Sequence, residues 1–121
     1  MREKIIIKKS KSNSYKYFPE NKEELKDIIE KRIEQEGNEV DLNDIDVSEI
    51  TDMSYLFEGT NFNGDIYSWD VSNVENMGGM FQSSKFKGDI SNWDVSKVTN
   101  MRNMFFNSPL ENNPPKWYEA V

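Results

Sequence analysis

The residues that decide the fold are 86–105, FKGDISNWDVSKVTNMRNMF, because their pattern recurs along the chain. The phrase Trp-Asp-Val-Ser at 93–96 also stands at 69–72, and at 45–48 it reads Ile-Asp-Val-Ser, which gives a period of 24 residues. Trp117 falls where a fourth copy would begin. A fixed period of about 20–50 residues is typical of stacked units, each of which buries its apolar face against its neighbours. The sequence therefore predicts three repeats, at 41–65, 66–89 and 90–113.

Apolar residues keep one register through the three copies, which predicts a shared interior. The matching sets are Leu42/Ile66/Ile90, Ile45/Trp69/Trp93, Val47/Val71/Val95, Ile50/Val74/Val98, Met53/Met77/Met101, Leu56/Met80/Met104, Phe57/Phe81/Phe105 and Phe62/Phe86/Leu110. The first four sets follow the spacing of leucine-rich repeats. This spacing predicts an α/β (α+β) repeat solenoid with a short parallel strand at 69–71 and at its equivalents.

A short helical turn is expected after each predicted strand. Thr51-Asp52, Glu75-Asn76 and Thr99-Asn100 supply capping-type residues before a Met-x-x-Met/Leu-Phe turn, whose spacing places its apolar side chains on one face. We expect Asp52, Asn76 and Asn100 to form a polar ladder, since backbone groups at turns need partners. Gly78-Gly79 is an oddity, because each glycine weakens a helical turn by about 1 kcal/mol relative to alanine.

The remaining segments are predicted to be caps on the repeats. Residues 1–40 are expected to form a β-hairpin, with strands at 4–9 and 15–18, followed by a helix over 21–36. Asn21 is a suitable N-cap with Glu24 three residues on, and Gly37 is suited to end the helix. Residues 114–121 are expected to form a C-terminal cap, because Pro114-Pro115 cannot donate to a further strand. An edge strand for dimerisation at 117–121 is the alternative.

Composition excludes several classes of function. The 121 residues include no Cys and no His, which rules out disulfides, thiolate nucleophiles and imidazole acid–base chemistry. No apolar run approaches the roughly 18–20 residues that span a bilayer, and Ile5-Ile6-Ile7 is too short for a secretory signal. We therefore expect a cytoplasmic location, unless an export signal was removed.

The net charge of −7 is divided unevenly along the chain. Residues 1–18 carry six basic groups and one acidic group, whereas residues 41–121 carry five basic and thirteen acidic groups. The lysines at the N-terminus are either a patch for nucleic acid or membrane or, as the simpler reading, charges that protect an edge strand. The repeats should repel nucleic acid and attract basic partners.

Asp46, Asp70 and Asp94 would form a ladder of carboxylates if the predicted strands stack in register. Their sameness favours structural hydrogen bonding with Ser48, Ser72 and Ser96 or a partner-binding surface, over a metal site or catalysis. Positions on this side that differ between copies are the informative ones for function. The resulting candidate partner-binding set, here called the polar strip, consists of Asp44, Asp46, Ser68, Asp70, Ser72, Asn73, Asn92, Asp94, Ser96 and Lys97. One variable position of the repeat is occupied by Glu49 in the first copy, Asn73 in the second and Lys97 in the third.

The repeat resembles the BspA-type leucine-rich repeat, also described as a mycoplasma-type repeat of unknown function. Residues 86–105 carry the likeness, through Trp-Asp-Val-Ser at 93–96 and Thr-Asn-Met-Arg-Asn-Met-Phe at 99–105. The resemblance covers about two thirds of the chain. It implies a solenoid that is not an enzyme and that acts in adhesion or protein binding.

We therefore expect a non-catalytic protein-binding module that uses the polar strip, with no cofactor and no metal. Its partner is expected to be a protein with a basic surface, and the chain a monomer or a dimer through its C-terminal edge. One alternative is a phage or mobile-element inhibitor, of anti-CRISPR or other anti-defence type, that blocks a basic nucleic-acid-binding surface. A fragment of a surface adhesin is the second alternative.

Overall fold

A computed structural model describes residues 15–118, and one α-helix lies in this range. This helix, α1, spans Lys22–Glu36. Asn21 is its N-cap: the side-chain oxygen accepts a hydrogen bond from the backbone N–H of Glu24 at 2.9 Å. At the other end Gly37 has a φ of 95° and donates its N–H to the carbonyl of Ile33, as its missing Cβ permits. No helix among the described residues is long and apolar enough to cross a membrane.

The three copies lie one upon another, and equivalent residues of neighbouring copies are in contact. Phenylalanine rings stack at the same position of each copy, with centroids 5.5 Å apart for Phe57–Phe81 and 5.8 Å for Phe81–Phe105. The tryptophans form a second column, with 6.4 Å both from Trp69 to Trp93 and from Trp93 to Trp117. Trp117 therefore occupies the tryptophan position of a fourth copy.

The core follows the apolar register read from the sequence. The described interior includes Leu42, Ile66 and Ile90, the phenylalanines of all three copies, and Leu25 and Ile29 of α1. Four of the five repeat methionines are fully buried, whereas Met101 of the third copy is partly exposed. The interior thus loosens towards the end of the stack that lies away from α1.

The predicted α/β solenoid of parallel strands and short helical turns is wrong, and with it the leucine-rich-repeat architecture. Between residues 15 and 118 there is α1 and one single-turn 3-10 helix, Pro109–Glu111, but no strand. The copies pair instead through isolated parallel bridges. These bridges are Asp41–Asp65, Asp52–Asn76 and Asn76–Asn100.

Closely spaced turns explain why strands do not form. In the second copy, the N–H of Trp69 donates to the carbonyl of Ile66, the N–H of Val74 to that of Val71, and the N–H of Met80 to that of Met77. Each of these bonds closes a turn of four residues, so few residues remain between turns for an extended ladder. The segment 69–71, predicted as a strand, lies between two such turns.

The predicted N-terminal hairpin is not supported. Its first strand, 4–9, lies outside the described residues, and its second, 15–18, is not a strand. Within it Tyr17 makes a single parallel bridge to Ile45, and its carbonyl accepts the N–H of Asp46 at 2.9 Å. Residues 15–18 therefore add one bridge to the first copy.

A buried arginine fixes α1 to the first copy. Arg32 is 8% exposed, and its guanidinium donates to Glu36 at 2.6 Å, to Asp44 at 2.9 Å and to the carbonyl of Asp41 at 3.2 Å. It also lies over the ring of Tyr17, 5.1 Å from the centroid. Burial opposes the charged form, but the two carboxylates outweigh burial and raise the pKa of Arg32 above its ordinary value.

Gly79 is required where it stands, which corrects the expectation that Gly78-Gly79 weakens a helix. There is no helix at this point, and Gly79 has a φ of 62°. An added Cβ would lie 2.2 Å from the ring of Tyr55 in the copy below. The equivalent residues Tyr55 and Asn103 share the left-handed conformation, at 58° and 57°. Glycine adopts it without the steric cost that a side chain brings.

We expect Trp93→Phe to destabilise the protein by about 1–3 kcal/mol, because the buried carbonyl of Ile66 loses the indole N–H that lies 3.2 Å away. Phenylalanine keeps an aromatic ring in the column. Urea unfolding followed by circular dichroism measures the change. Trp117→Phe is the matched control at a partly buried position and should cost less. Equal losses at the two positions would contradict the interpretation.

We expect Gly79→Ala to cost roughly 1–3 kcal/mol, from the left-handed backbone and the contact with Tyr55. Tyr55→Gly removes the opposing ring and relieves its own positive φ. In the double variant the alanine should therefore cost less than it does alone. A double-mutant cycle by urea unfolding measures this coupling, and strictly additive effects would show that the ring contact is unimportant.

Candidate partner-binding surface

Each aspartate of the predicted ladder closes a turn within its own copy. The Oδ1 of Asp46 accepts the backbone N–H of Ser48 at 3.0 Å and its hydroxyl at 2.6 Å. Asp70 accepts the same two groups of Ser72, at 3.1 and 2.6 Å. Asp94 accepts the N–H of Ser96 at 3.0 Å. The regularity of Asp and Ser in this motif thus has a local structural cause.

The same device appears at two other positions of the 24-residue pattern. Asp65 accepts the N–H of Tyr67, and Asp89 accepts that of Ser91, both at 3.0 Å. At the predicted polar ladder, the residues in the row Asp52, Asn76 and Asn100 accept the N–H two residues further on, at 2.9, 2.9 and 3.0 Å. Asparagine and aspartate therefore serve equally as turn-closing acceptors here.

Exposure along the polar strip increases away from α1. Asp46 is 4% exposed, Asp70 is half-buried, and Asp94 is exposed. Asp46, which the sequence places in the candidate partner-binding set, is therefore not accessible to a partner. The backbone N–H of Asp46 donates to the carbonyl of Tyr17, so residues 15–18 lie against this end of the strip.

Asp44 belongs to the contact between α1 and the first copy. Its carboxylate is 2.9 Å from the guanidinium of Arg32, and its carbonyl accepts the N–H groups of Lys16 and Tyr17. A partner would have to displace Arg32 to reach this charge. The first copy therefore offers little of the acidic surface that the sequence predicts.

Side chains of the second and third copies lie side by side on the polar strip. Lys97 Nζ donates to the side-chain oxygen of Asn73 at 3.0 Å, and the amide nitrogen of Asn73 donates to the carbonyl of Ser48 at 2.9 Å. Ser68, Asn73, Asn92, Ser96 and Lys97 are exposed, and Ser72 is half-buried. This part of the predicted set is therefore accessible and in register.

The exposed carboxylates are held in their ionised form by the serines beside them. The hydroxyl and backbone N–H of Ser96 lower the pKa of Asp94 below its ordinary value, with a further contribution from Lys97. Ser91 lowers the pKa of Asp89 in the same way. Asp94 therefore stays negative across the physiological range.

Asp52 is tied to α1 through Lys22. Lys22 Nζ lies 3.5 Å from the Asp52 carboxylate and donates to both the hydroxyl and the carbonyl of Ser54. Burial raises the pKa of Asp52, but the hydrogen bonds from Ser54 and the charge of Lys22 outweigh burial, and the pKa lies below its ordinary value.

Exposed aromatic residues form a feature that the sequence reading did not single out. Tyr55, Tyr67 and Phe106 are 50%, 43% and 53% exposed. Phe106 takes the position of Glu58 and Gln82 in the other copies, so a comparison of copies at outward positions could have found it. Over the described range, no three acidic side chains are grouped to hold a metal ion.

The regular interior and the turn-closing residues define a small domain of stacked 24-residue units. The chain belongs to the family described as "Mycoplasma protein of unknown function, DUF285", whose model matches residues 23–119. No curated protein and no solved structure matches it.

We expect Asp52→Asn to lower stability at pH 7 by about 0.5–1 kcal/mol, since asparagine keeps an acceptor for Ser54 but loses the ion pair with Lys22. The folded-state pKa of Asp52 is depressed, so its contribution is present above the unfolded pKa of about 3.9 and is lost as pH falls through the folded pKa. Urea unfolding at pH 7 and near pH 2.5 measures both differences. A difference that persists undiminished in acid would refute the assignment.

Proposed function

We propose that the chain is a non-catalytic protein-protein interaction module that binds a partner through the accessible part of the polar strip. That part comprises Ser68, Asp70, Ser72, Asn73, Asn92, Asp94, Ser96 and Lys97. Asp44 and Asp46 are left out, because Arg32 holds the first and the second is buried.

The observation that carries the proposal is the alignment of variable residues on neighbouring copies. Lys97 donates to Asn73, and Asn73 donates to the carbonyl of Ser48, so three copies contribute to one continuous row. Buried positions repeat because they must fill a core, whereas Glu49, Asn73 and Lys97 differ at an outward position. Differences of this kind are suited to recognition, since they give each copy its own contact chemistry.

Charge indicates the kind of partner. Residues 41–121 carry thirteen acidic and five basic groups, and Asp94 keeps a lowered pKa. An acidic surface speeds the encounter with a basic protein and selects against acidic ones. Three copies offer room for one patch of ordinary size, about 800 Å² per partner.

The motif at 93–105 supports the same function through its resemblance to BspA-type repeats, for which adhesion or protein binding is the assigned role. The family match over residues 23–119 assigns no function, so the relation to BspA-type repeats is part of this proposal. An inhibitor that covers the basic nucleic-acid-binding groove of another enzyme is the second candidate, favoured by the acidic surplus of residues 41–121.

The test compares two double variants that remove the same charge from different places. Asp70→Asn/Asp94→Asn changes the polar strip, and Asp65→Asn/Asp89→Asn changes turn-closing aspartates outside it. Both should fold, because Asn76 and Asn100 already close turns as asparagines. The unchanged protein and the two double variants are immobilised and exposed to host lysate over a salt series. The proteins that each one binds are then identified and quantified.

We expect the strip variant to lose its main partner by roughly tenfold, equivalent to about 1.4 kcal/mol, and the control variant to keep it. Capture should weaken as salt rises. A nucleic-acid-directed enzyme in the eluate supports the inhibitor, and matrix or envelope proteins support adhesion. Retention of every partner by the strip variant would contradict a role of the polar strip in binding.

A further inference from the structure

A row of backbone N–H groups joins each copy to the next. In the first copy the N–H groups of Met53, Tyr55 and Phe57 donate to carbonyls of the second copy at 2.8, 3.0 and 2.9 Å. In the second copy Met77, Gly79 and Phe81 donate to the third at 2.8, 2.9 and 2.9 Å. The donors occupy every second residue, and all point away from α1.

The third copy presents the same row without acceptors. The N–H groups of Met101, Asn103 and Phe105 have no hydrogen-bond acceptor within residues 15–118. Phe105 is 1% exposed, and the ring of Tyr118 packs against its ring with centroids 4.9 Å apart. The accessible N–H groups are those of Met101 and Asn103, here called the donor edge. The next donor in the row, the N–H of Asn107, is accepted by the carboxylate of Glu111 at 3.0 Å. An N–H group without an acceptor destabilises the folded protein unless water or a partner supplies the acceptor.

An acceptor adjoins the donor edge. In the first two copies the carbonyls of Thr51 and Glu75 each accept two N–H groups of the following copy. The carbonyl of Thr99 is the equivalent group in the third copy. The end of the stack thus presents one acceptor followed by two accessible donors, in the arrangement by which each inner copy pairs with the next.

The opposite end of the stack is closed by the chain itself. Lys22 Nζ donates to the carbonyl of Ser54, and Tyr17 bridges to Ile45. Leu25 and Ile29 of α1 are buried against the same end. A second copy of the chain therefore cannot add head to tail without displacing these contacts.

A symmetric dimer through the donor edge is also disfavoured. A two-fold axis brings identical surfaces together, so donors would face donors. The fitting occupant must instead offer a row of carbonyls at every second residue, as Asn76, Gly78 and Met80 do towards the first copy. Another protein can supply such a row through a segment that turns in the same way.

We propose that the donor edge binds a segment of a partner protein, parallel to residues 101–105, that adopts the turn conformation of residues 76–82 and so presents backbone carbonyls at every second residue. Phe106 adjoins this edge and is 53% exposed, where the inner copies carry Glu58 and Gln82. Its ring provides apolar contact for a side chain of the bound segment. This surface is separate from the polar strip, so either can fail without the other.

The experiment measures amide exchange by NMR on the ¹⁵N-labelled full chain. In the free protein the amides of Met101 and Asn103 should exchange at least about 100-fold faster than those of Met77 and Gly79, which are hydrogen-bonded. The probe is a synthetic peptide of sequence ENMGGMFQS, residues 75–83, whose carbonyls fill this row in the intact chain. A peptide of scrambled order is the control.

We expect the probe, at about 5 mM, to slow exchange at the donor edge by roughly tenfold, and the scrambled peptide to leave it unchanged. Phe106→Gln should weaken this effect, whereas Glu58→Gln, at the same position of the first copy, should not. The proposal is overturned if the amides of Met101 and Asn103 are already protected in the free chain, including by self-association seen in sedimentation. It is equally overturned if both peptides act alike or neither acts.

Discussion

The hydrogen bond from each tryptophan to a carbonyl of the copy before it holds the structure in register. The indole N–H of Trp69 donates to Leu42, that of Trp93 to Ile66 and that of Trp117 to Ile90, at 2.9, 3.2 and 2.9 Å. Each bond joins residues 27 apart and satisfies a backbone carbonyl in an interior where an unpaired one would be costly. The tryptophan ring centroids stack 6.4 Å apart, so each 24-residue repeat forms one layer of the stack. The aromatic columns, the turns and the rows of backbone hydrogen bonds recur from layer to layer.

The interior was predictable because burial depends on apolar residues at a fixed period, and the period is visible in the sequence. The ends of α1 were predictable because Asn21 and Gly37 have specific capping chemistry. The strands were predicted wrongly. Trp69-Asp70-Val71 alternates like a strand, but Asp70 bonds to Ser72 and closes a turn. An aspartate two residues before a serine is itself a turn signal, and the leucine-rich-repeat spacing hid it.

The candidate surface was predictable only in part, because exposure depends on contacts distant in sequence. The residues next to Asp44 in sequence do not indicate that Arg32 of α1 forms an ion pair with its carboxylate. They also do not indicate that the backbone N–H of Asp46 bonds to Tyr17. The accessible residues of the second and third copies lie where the repeat placed them. The donor edge could not be read from side chains at all, since it consists of backbone groups whose direction is set by the turns.

The short span of the contacts has a consequence for how the protein folds. Within residues 15–118 the hydrogen bonds between copies connect residues 23 to 27 apart, so each copy pairs with its immediate neighbour. Chains with this contact pattern gain stability one unit at a time, and each loop that closes is about the length of one repeat. Arg32 and Lys22 join one end of the stack to α1, so we expect folding to begin there and order to propagate towards Trp117. The last copy, with its half-exposed Met101 and Asp94 at the surface, is thus the first to open and the last to form.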